Sequence, residues 1–174
     1  MWVRAVISLR RLRALFSQSR PPQLVGIYVA EHAGARMQGL EAAEALVGRG
    51  LVGDRYATDA GHWRATDRCE ITLISAEDLL RSERRTGLKL QQGAHRRNLV
   101  VAGLRQSELR GARLRIGEVE LGWHRIRPPC GYLDQIAGRG MANALGRHAG
   151  HCFRVVASGR LQLGDRVELW RPEG

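Results

Sequence analysis

The sequence predicts a mainly β protein with inserted helices, an α+β fold whose short strands form a closed or nearly closed β-barrel. Short apolar runs are separated by turn residues along most of the chain. The 174 residues include 21 glycines and five prolines, which favours many turns and therefore short strands. Only two segments have a helical pattern. Many short strands with few helices are typical of barrels and sandwiches.

The strands are predicted from apolar runs bounded by glycine and polar residues. We predict strands at Leu24–Val29, Glu70–Ile74, Asn98–Val101, Phe153–Val156 and Arg166–Trp170. Alternation at 114–116 and 119–121 around Gly117-Glu118 predicts a hairpin. Gln38–Val47 fits a helix by its Ala, Glu and Leu content and a strand by its flanking glycines, so both remain open.

The clearest helix is Ser75–Thr86. Ser75 is a good N-cap, acidic residues lie in the first turn, arginines lie near the end, and Gly87 follows. Each of these features stabilises a helix end. A second segment, Tyr132–Arg147, is expected to be helical or broken-helical, because glycines inside it weaken a helix.

We divide the chain into a basic N-terminal extension, residues 1–22, helical or disordered, and a domain at residues 23–172. The net charge is +11, and the first twenty residues hold five arginines and no acid, which leaves +6 for the rest. Contact of residues 1–20 with a membrane surface is the weaker alternative. Only 5% of the residues are aromatic, which argues against a specific nucleic-acid partner.

Three cysteines, Cys69, Cys130 and Cys152, show no metal-finger spacing, and an odd number cannot all pair within the chain. A reducing compartment, and hence a cytoplasmic location, is the simpler interpretation. Cys69 and Cys152 adjoin predicted strands and are expected to pack as small apolar residues. No apolar run approaches the roughly 20 residues of a membrane span.

Several enzyme classes find no support in the sequence. It has no Gly-x-Ser-x-Gly elbow, no Walker loop and no dinucleotide fingerprint. Pyridoxal phosphate chemistry needs a lysine for the Schiff base. Lys89, the sole lysine, lies in a connecting segment, so no pyridoxal phosphate is expected.

Cys130 ends a stiff loop, Arg127-Pro128-Pro129-Cys130. The prolines fix their own φ angles and donate no N–H, so the loop cannot lie inside a central strand. A helix is predicted directly after it. A helix N-terminus and neighbouring arginines favour the thiolate, which is both the nucleophile and the metal ligand. Cys130 is therefore a candidate reactive centre.

Two polar clusters and one histidine are further candidates. The turn Gly53-Asp54-Arg55-Tyr56 exposes N–H groups that could hold an anion, although a simple connecting turn is favoured when it is taken alone. Arg96-Arg97-Asn98 precedes a strand. Its guanidinium groups could bind a phosphate, or it could be a solvated charge run. His62 lies in a polar loop, where a lone histidine is usually solvated.

Taken in order, six segments resemble the MOSC domain family, the molybdenum cofactor sulfurase C-terminal domain, in its small stand-alone bacterial form. They are Gly50–Tyr56, Ile71–Ser75, Arg96–Gly103, Leu114–Gly117, Pro128–Cys130 and Gly164-Asp165. The resemblance extends from Leu24 to Trp170 and implies a MOSC-type β-barrel.

The resemblance also implies that the protein binds the molybdenum cofactor, molybdopterin, with Cys130 as catalytic residue and metal ligand. The cofactor-binding candidates are Arg96, Arg97, Asn98, Arg127, Asp54 and His62. The expected function is an oxidoreductase that reduces N-hydroxylated substrates; the alternative is a non-catalytic carrier of the cofactor or of cysteine-bound sulfur.

Two departures from the studied reductases leave the pterin contacts and the substrate open. Their His-Gly-Gly loop is present only as Gly61-His62-Trp63, and their Gly-Glu-Asn is Arg96-Arg97-Asn98. The chain also lacks an iron–sulfur or haem motif, so a reductase would need a separate electron-donor protein.

Overall fold

A computed structural model describes residues 21–61 and 69–172 of the chain. The described residues form eleven strands, four α-helices and one 3₁₀ turn. The strands are β1 Gln23–Val29, β2 Gln38–Gly39, β3 Ala42–Leu46, β4 Gly50–Leu51, β5 Ile71–Ser75, β6 Leu99–Ala102, β7 Arg113–Ile116, β8 Val119–Ile126, β9 His151–Ala157, β10 Gly159–Gln162 and β11 Val167–Trp170. The helices are α1 Ala76–Thr86, α2 Gln106–Leu109, α3 Gly131–Ala137 and α4 Met141–Leu145, and the 3₁₀ turn is Gly146–His148.

The strands form two sheets. The larger has the order β11-β7-β8-β9-β5-β6-β1-β2 and the smaller β10-β3-β4. β5 and β6 are parallel, and the other ladders are antiparallel. A single bridge joins Gln23 to Arg166, and no ladder among the described residues closes either sheet. The mainly β, α+β class is confirmed, but the closed barrel is not, because both sheets remain open in their strand order.

Two apolar clusters stabilise this arrangement. One lies among the strands and includes the fully buried Leu73, Leu121 and Phe153. The other joins helices α1, α3 and α4 to the sheet and includes Leu79 and Leu145. Burying one such side chain contributes about 1.5–3 kcal/mol. The helices are thus held on the sheet by their apolar faces.

Most of the predicted elements are present. Ser75 caps α1: its hydroxyl accepts the Asp78 N–H at 3.3 Å, and Gly87 ends the helix with φ 72°. The Gln38–Val47 segment is strand, as β2 and β3. The predicted hairpin is β7–β8. The broken-helical prediction for Tyr132–Arg147 is confirmed, because the structure has α3, α4 and a 3₁₀ turn there.

The stagger of the strands brings several connections close together in the larger sheet. Leu73 of β5 lies opposite Leu99, the first residue of β6, and opposite His151, the first residue of β9. Ile126, the last residue of β8, pairs with His151, and Ile27, near the end of β1, pairs with Leu99. Connections that meet at one level of a sheet can form a site even when they are distant in sequence. The basic segment 1–20 lies outside the described residues. Within the described ranges, no helix is long and apolar enough to cross a membrane.

Candidate functional site

A cleft of about 470 Å³, counting its open mouth, lies where these connections meet. Its described lining combines four arginines, two tyrosines, one cysteine and an apolar wall. The lining residues are Ala33, Arg55, Tyr56, Arg96, Arg97, Arg127, Pro128, Cys130, Tyr132, Leu133 and Ile136. These described residues include no carboxylate, so the cleft is strongly cationic. The site therefore suits a ligand with an anionic end and a partly apolar body.

Cys130 lies at this cleft, as a half-buried free thiol. β8 ends at Ile126, and the two prolines carry the chain from the strand to α3 in a non-strand loop. Cys130 is the N-cap residue of α3 and makes no side-chain capping hydrogen bond. Its backbone carbonyl accepts the N–H of Leu133 at 2.9 Å. The sulfur thus lies at the cleft, and no hydrogen bond within the described residues occupies it as a helix cap.

Arg96 and Arg97 enter the cleft from the turn before β6. Both are buried, with 7% and 4% of their surface exposed, so the alternative of a solvated charge run is wrong. Arg96 has φ 60°, a left-handed conformation that costs free energy in a non-glycine residue. One guanidinium nitrogen of Arg96 donates to the Ala35 carbonyl, while its buried Nε has no partner among the described residues.

Arg97 is held by the main chain. Its Nε donates to the Ala149 carbonyl at 2.5 Å, and Nη1 lies 3.4 Å from the Arg96 carbonyl. Burial, together with the positive charge of Arg127, lowers the pKa of Arg97 to about 10. It still carries its charge at neutral pH. Among the described residues this buried guanidinium is hydrogen-bonded only to carbonyls, which leave its charge uncompensated and so favour binding of an anion.

His95 stabilises the turn that holds Arg96 and Arg97. Its Nδ1 accepts the N–H of Arg97 at 3.0 Å, and its ring packs edge-on against Tyr28 with centroids 5.2 Å apart. Burial, followed by the charges of Arg97 and Arg96, lowers the pKa of His95 to about 3. The imidazole is therefore neutral at physiological pH and adds no charge to the cluster.

Arg127 links the cysteine loop to the rest of the cleft. Its backbone N–H donates to the Gly150 carbonyl at 2.9 Å, and its Nη2 lies 3.2 Å from the Tyr56 hydroxyl. Burial lowers the pKa of Arg127, but Tyr56 and the three cysteines raise it by more, so the net shift is upward. The guanidinium is thus a permanent cation beside Cys130.

Asp54 lies behind the cleft and is fully buried. Its carboxylate accepts the N–H groups of Ala30 at 2.9 Å and Tyr56 at 3.2 Å, and it pairs with Arg55 at 3.0 Å. Arg55 in turn stacks on the Tyr56 ring, with Cζ 4.5 Å from the centroid. Asp54 therefore positions Arg55 and Tyr56, and does not itself line the cleft.

Asn98 is also fully buried, away from the cleft lining. Its Oδ1 accepts the backbone N–H of Thr72 at 3.0 Å and the Thr72 hydroxyl at 2.8 Å, and its Nδ2 donates to the Tyr28 carbonyl at 3.1 Å. These bonds join the starts of β5 and β6 to β1. His62 lies outside the described residues, and its predicted role stays a prediction.

The structure thus brings together Cys130, Arg96, Arg97 and Arg127, as the sequence predicts. Arg55, Tyr56 and Tyr132 were not among the predicted site residues, although all three line the cleft. For Arg55 and Tyr56 the signal was the glycine-rich turn that holds them. Tyr132 had the weaker signal of lying two residues after Cys130.

Comparison with known proteins identifies the family. The profile described as "MOSC domain" matches residues 60–168, more than half of the chain. The chain therefore belongs to the MOSC domain family. No curated protein matches it in sequence.

Solved structures share the fold. The YuaD protein from Bacillus subtilis aligns with a TM-score of 0.71 and 16% identity, covering 88% of this chain and 98% of the other. YiiM from Geobacillus stearothermophilus gives 0.66 and 19%, covering 87% and 76%. YiiM from Escherichia coli gives 0.63 and 19%, covering 87% and 71%. At these identities the similarity shows the fold alone.

Proposed function

We propose that the cleft binds the molybdenum cofactor, with Cys130 as the metal ligand. One observation carries this proposal: a free cysteine shares a single cleft with Arg55, Arg96, Arg97 and Arg127. A thiolate is a soft ligand that suits a transition metal, and guanidinium groups suit a phosphate. MOSC domains as a family are associated with this cofactor, and the chain belongs to that family.

The residues present fit the cofactor. The unpartnered, buried Nε of Arg96 is a donor that a phosphate oxygen would satisfy. Tyr56 and Tyr132, with the apolar wall of Leu133 and Ile136, offer surfaces for a flat ring system. When bound, the molybdenum supplies two-electron redox chemistry that side chains alone do not provide.

In this proposal, the residues of the chain bind the cofactor and orient it. Arg97 and Arg127 remain charged at neutral pH and hold the anionic end, while Cys130 holds the metal. We assign Asp54 and Asn98 to positioning, because their hydrogen bonds fix the turn of Tyr56 and the start of β6. The proposed reaction is reduction of an N-hydroxylated compound, with electrons from a separate donor protein.

A non-catalytic carrier of the cofactor, or of cysteine-bound sulfur, is the second candidate. One observation favours it: the described lining residues include no histidine, aspartate or glutamate. Removing the oxygen of an N–OH group as water consumes protons, and only tyrosine and cysteine side chains offer a proton within this described lining. A carrier needs no proton donor.

The decisive experiment measures cofactor content first and turnover second. Wild-type protein and Cys130→Ala are made in a host that synthesises the cofactor, with Cys69→Ala as the matched cysteine control. We expect molybdenum and pterin in wild type and in the control, and at least tenfold less molybdenum in Cys130→Ala. Equal, negligible metal in all three would contradict the proposal.

Turnover then separates the two candidates. The loaded protein is given an N-hydroxylated purine and a reduced viologen as artificial electron donor. Formation of the deoxygenated purine that depends on Cys130 supports the reductase. Bound cofactor without turnover supports the carrier.

A further inference from the structure

Residues 147–150 connect α4 to β9 beside the cleft, and we call them the linking segment. They include the end of the 3₁₀ turn and stop where β9 begins at His151. Ala149 and Gly150 belong to no helix or strand. The direction of their carbonyl groups is therefore not fixed by a regular element, and contacts from other parts of the chain have to fix it.

On one side, the linking segment contacts two arginines of the cleft. The Ala149 carbonyl accepts the Nε–H of Arg97 at 2.5 Å, and the Gly150 carbonyl accepts the main-chain N–H of Arg127 at 2.9 Å. Because Nε is the root of the planar guanidinium group, the direction of the Ala149 carbonyl decides where the terminal nitrogens of Arg97 point. The linking segment thus helps to orient Arg97 in the cleft.

On the other side, two side chains that are not part of the described cleft lining contact the same segment. Gln106, the first residue of α2, donates from Nε2 to the Arg147 carbonyl at 3.0 Å. In the first turn of α1, Asp78 places its Oδ1 3.5 Å from Nδ1 of His148. Gln106 and Asp78 are buried, with 9% and 5% of their surface exposed. The linking segment is thus held between the helices and the cleft.

The burial of Gln106 indicates that its hydrogen bond has a role. Glutamine is mostly exposed in proteins, and burying an amide costs free energy wherever its polar atoms lack partners. The Oε1 of Gln106 is buried and has no hydrogen-bond partner among the described residues. An apolar side chain would fill the same space at lower cost. The bond to the Arg147 carbonyl is therefore what distinguishes glutamine from methionine or leucine at this position.

We propose that Gln106 is a positioning residue for the anion site of the cleft. Gln106 fixes the linking segment, the segment fixes the Ala149 carbonyl, and that carbonyl orients Arg97. This inference rests on the proposed function only in that the cleft binds an anion, and it requires neither molybdenum nor turnover. Loss of the Gln106 bond leaves the charge of Arg97 in place but lets its guanidinium adopt several directions, so that binding an anion then costs the entropy of ordering it.

A double-mutant cycle between Gln106 and Arg97 tests the proposal. The full chain is made in a host that lacks the molybdenum cofactor, and the Kd for inorganic phosphate is obtained from the rise in Tm at constant pH and ionic strength. We expect Gln106→Met to raise the Kd roughly three- to tenfold, as is typical of residues coupled through one hydrogen-bond network. In an Arg97→Met background, the same substitution should change the Kd by less than about twofold. A merely structural role would raise the Kd by the same factor in both backgrounds.

Ser107→Ala is the matched control, because Ser107 is the next residue of α2 and is exposed. It should leave the Kd unchanged. Gln106→Asn is a second variant. Its amide is one carbon shorter and should not reach the Arg147 carbonyl, so it should behave as Gln106→Met does.

Three outcomes would overturn the proposal. They are an unchanged Kd in Gln106→Met, an equal rise in Kd with and without the Arg97 guanidinium, and failure of both Gln106 variants to fold, which would make Gln106 a requirement of the fold itself. Phosphate binding to wild type without any effect of Gln106 overturns the positioning role alone. Absence of phosphate binding to wild type overturns the positioning role and also contradicts an anion site in the cleft.

Discussion

Arg97 in the cleft and Arg115 on the exposed surface of β7 place the same side chain in opposite surroundings. Arg115 is half exposed, lies 2.6 Å from Glu120 and 3.8 Å from Glu168, and stacks on Trp170 with Cζ 5.7 Å from the ring centroid. Arg97 is buried and, among the described residues, bonds only to carbonyl oxygens. Arg115 thus has carboxylate partners, whereas Arg97 has none within the part of the chain that the structure describes.

The two environments have different consequences for the stability of the protein. An exposed ion pair stabilises a protein only slightly, because water screens it. A buried cation without a carboxylate destabilises the fold unless a ligand supplies the negative charge. In the cleft this situation occurs beside Cys130, with Arg96 and Arg127 adding to it. Under the proposed function, the cleft therefore gives up stability for anion binding, whereas the exposed surface of β7 does not.

The largest expected effect is on anion affinity. Arg97→Met keeps an unbranched side chain about as long as the aliphatic part of arginine but removes the charged guanidinium group. Since a hydrogen bond to a charged group is worth about 1.5–3 kcal/mol, we expect the Kd for inorganic phosphate to rise by roughly 10- to 100-fold. The measurement is the phosphate-dependent rise in Tm, taken relative to each variant's own value without phosphate.

Arg115→Met is the matched control for that experiment, because it removes the same group from the other environment. It should respond to phosphate as wild type does. An Arg97→Met protein with unchanged phosphate affinity would remove the distinction between the two arginines.

A smaller effect is expected on the stability of the folded protein in acid, and it comes from His95. The pKa of His95 is lowered to about 3, so between the ordinary histidine pKa and that value the unfolded chain binds a proton that the folded protein does not. Stability must therefore fall as pH falls through this window. From about pH 7 to about pH 5, the histidine should cost wild type about 2 kcal/mol of unfolding free energy.

The free energy of unfolding of His95→Gln, measured in urea, should fall by about 2 kcal/mol less than that of wild type over the same pH range. Glutamine does not titrate, and it can still accept the Arg97 N–H. His32→Gln is the control, since His32 is exposed. If the two variants show the same acid dependence, His95 does not carry the effect.

The smallest effect is expected from removing the exposed ion pairs of Arg115. Arg115→Met should shift the urea unfolding midpoint only slightly, and raising the salt concentration should abolish the shift because exposed ion pairs are screened. A large loss that persists in high salt would show that this pair is structural, and the contrast with Arg97 would weaken.

The sequence predicted the parts of the site that are local in the chain. Pro128 and Pro129 exclude a strand by their own chemistry, so Cys130 was correctly placed in a loop before a helix. The cap of α1 was predicted for the same reason, since Ser75 and Gly87 act on their nearest neighbours. Local patterns also identified the Arg96-Arg97 segment, although they could not decide between a buried and a solvated position.

The sequence could not predict the contacts between residues that are distant in the chain. Arg55, Tyr56 and Tyr132 join the cleft only because strand order and register bring the ends of β1 and β8 and the start of β6 to one level of the sheet. Whether the strands close into a barrel depends on register and on pairing at the sheet ends, which periodicity does not specify.

The carbonyl that receives the Arg127 N–H belongs to Gly150, and this residue limits how the site can vary. Gly150 has φ 100°, and a methyl group there would lie 2.6 Å from the Leu73 carbonyl oxygen. Even alanine would therefore push the start of β9 away from β5 and displace the carbonyl that holds Arg127. A redesign that aims at a new ligand can change the rim of the cleft, but position 150 has to remain without a side chain.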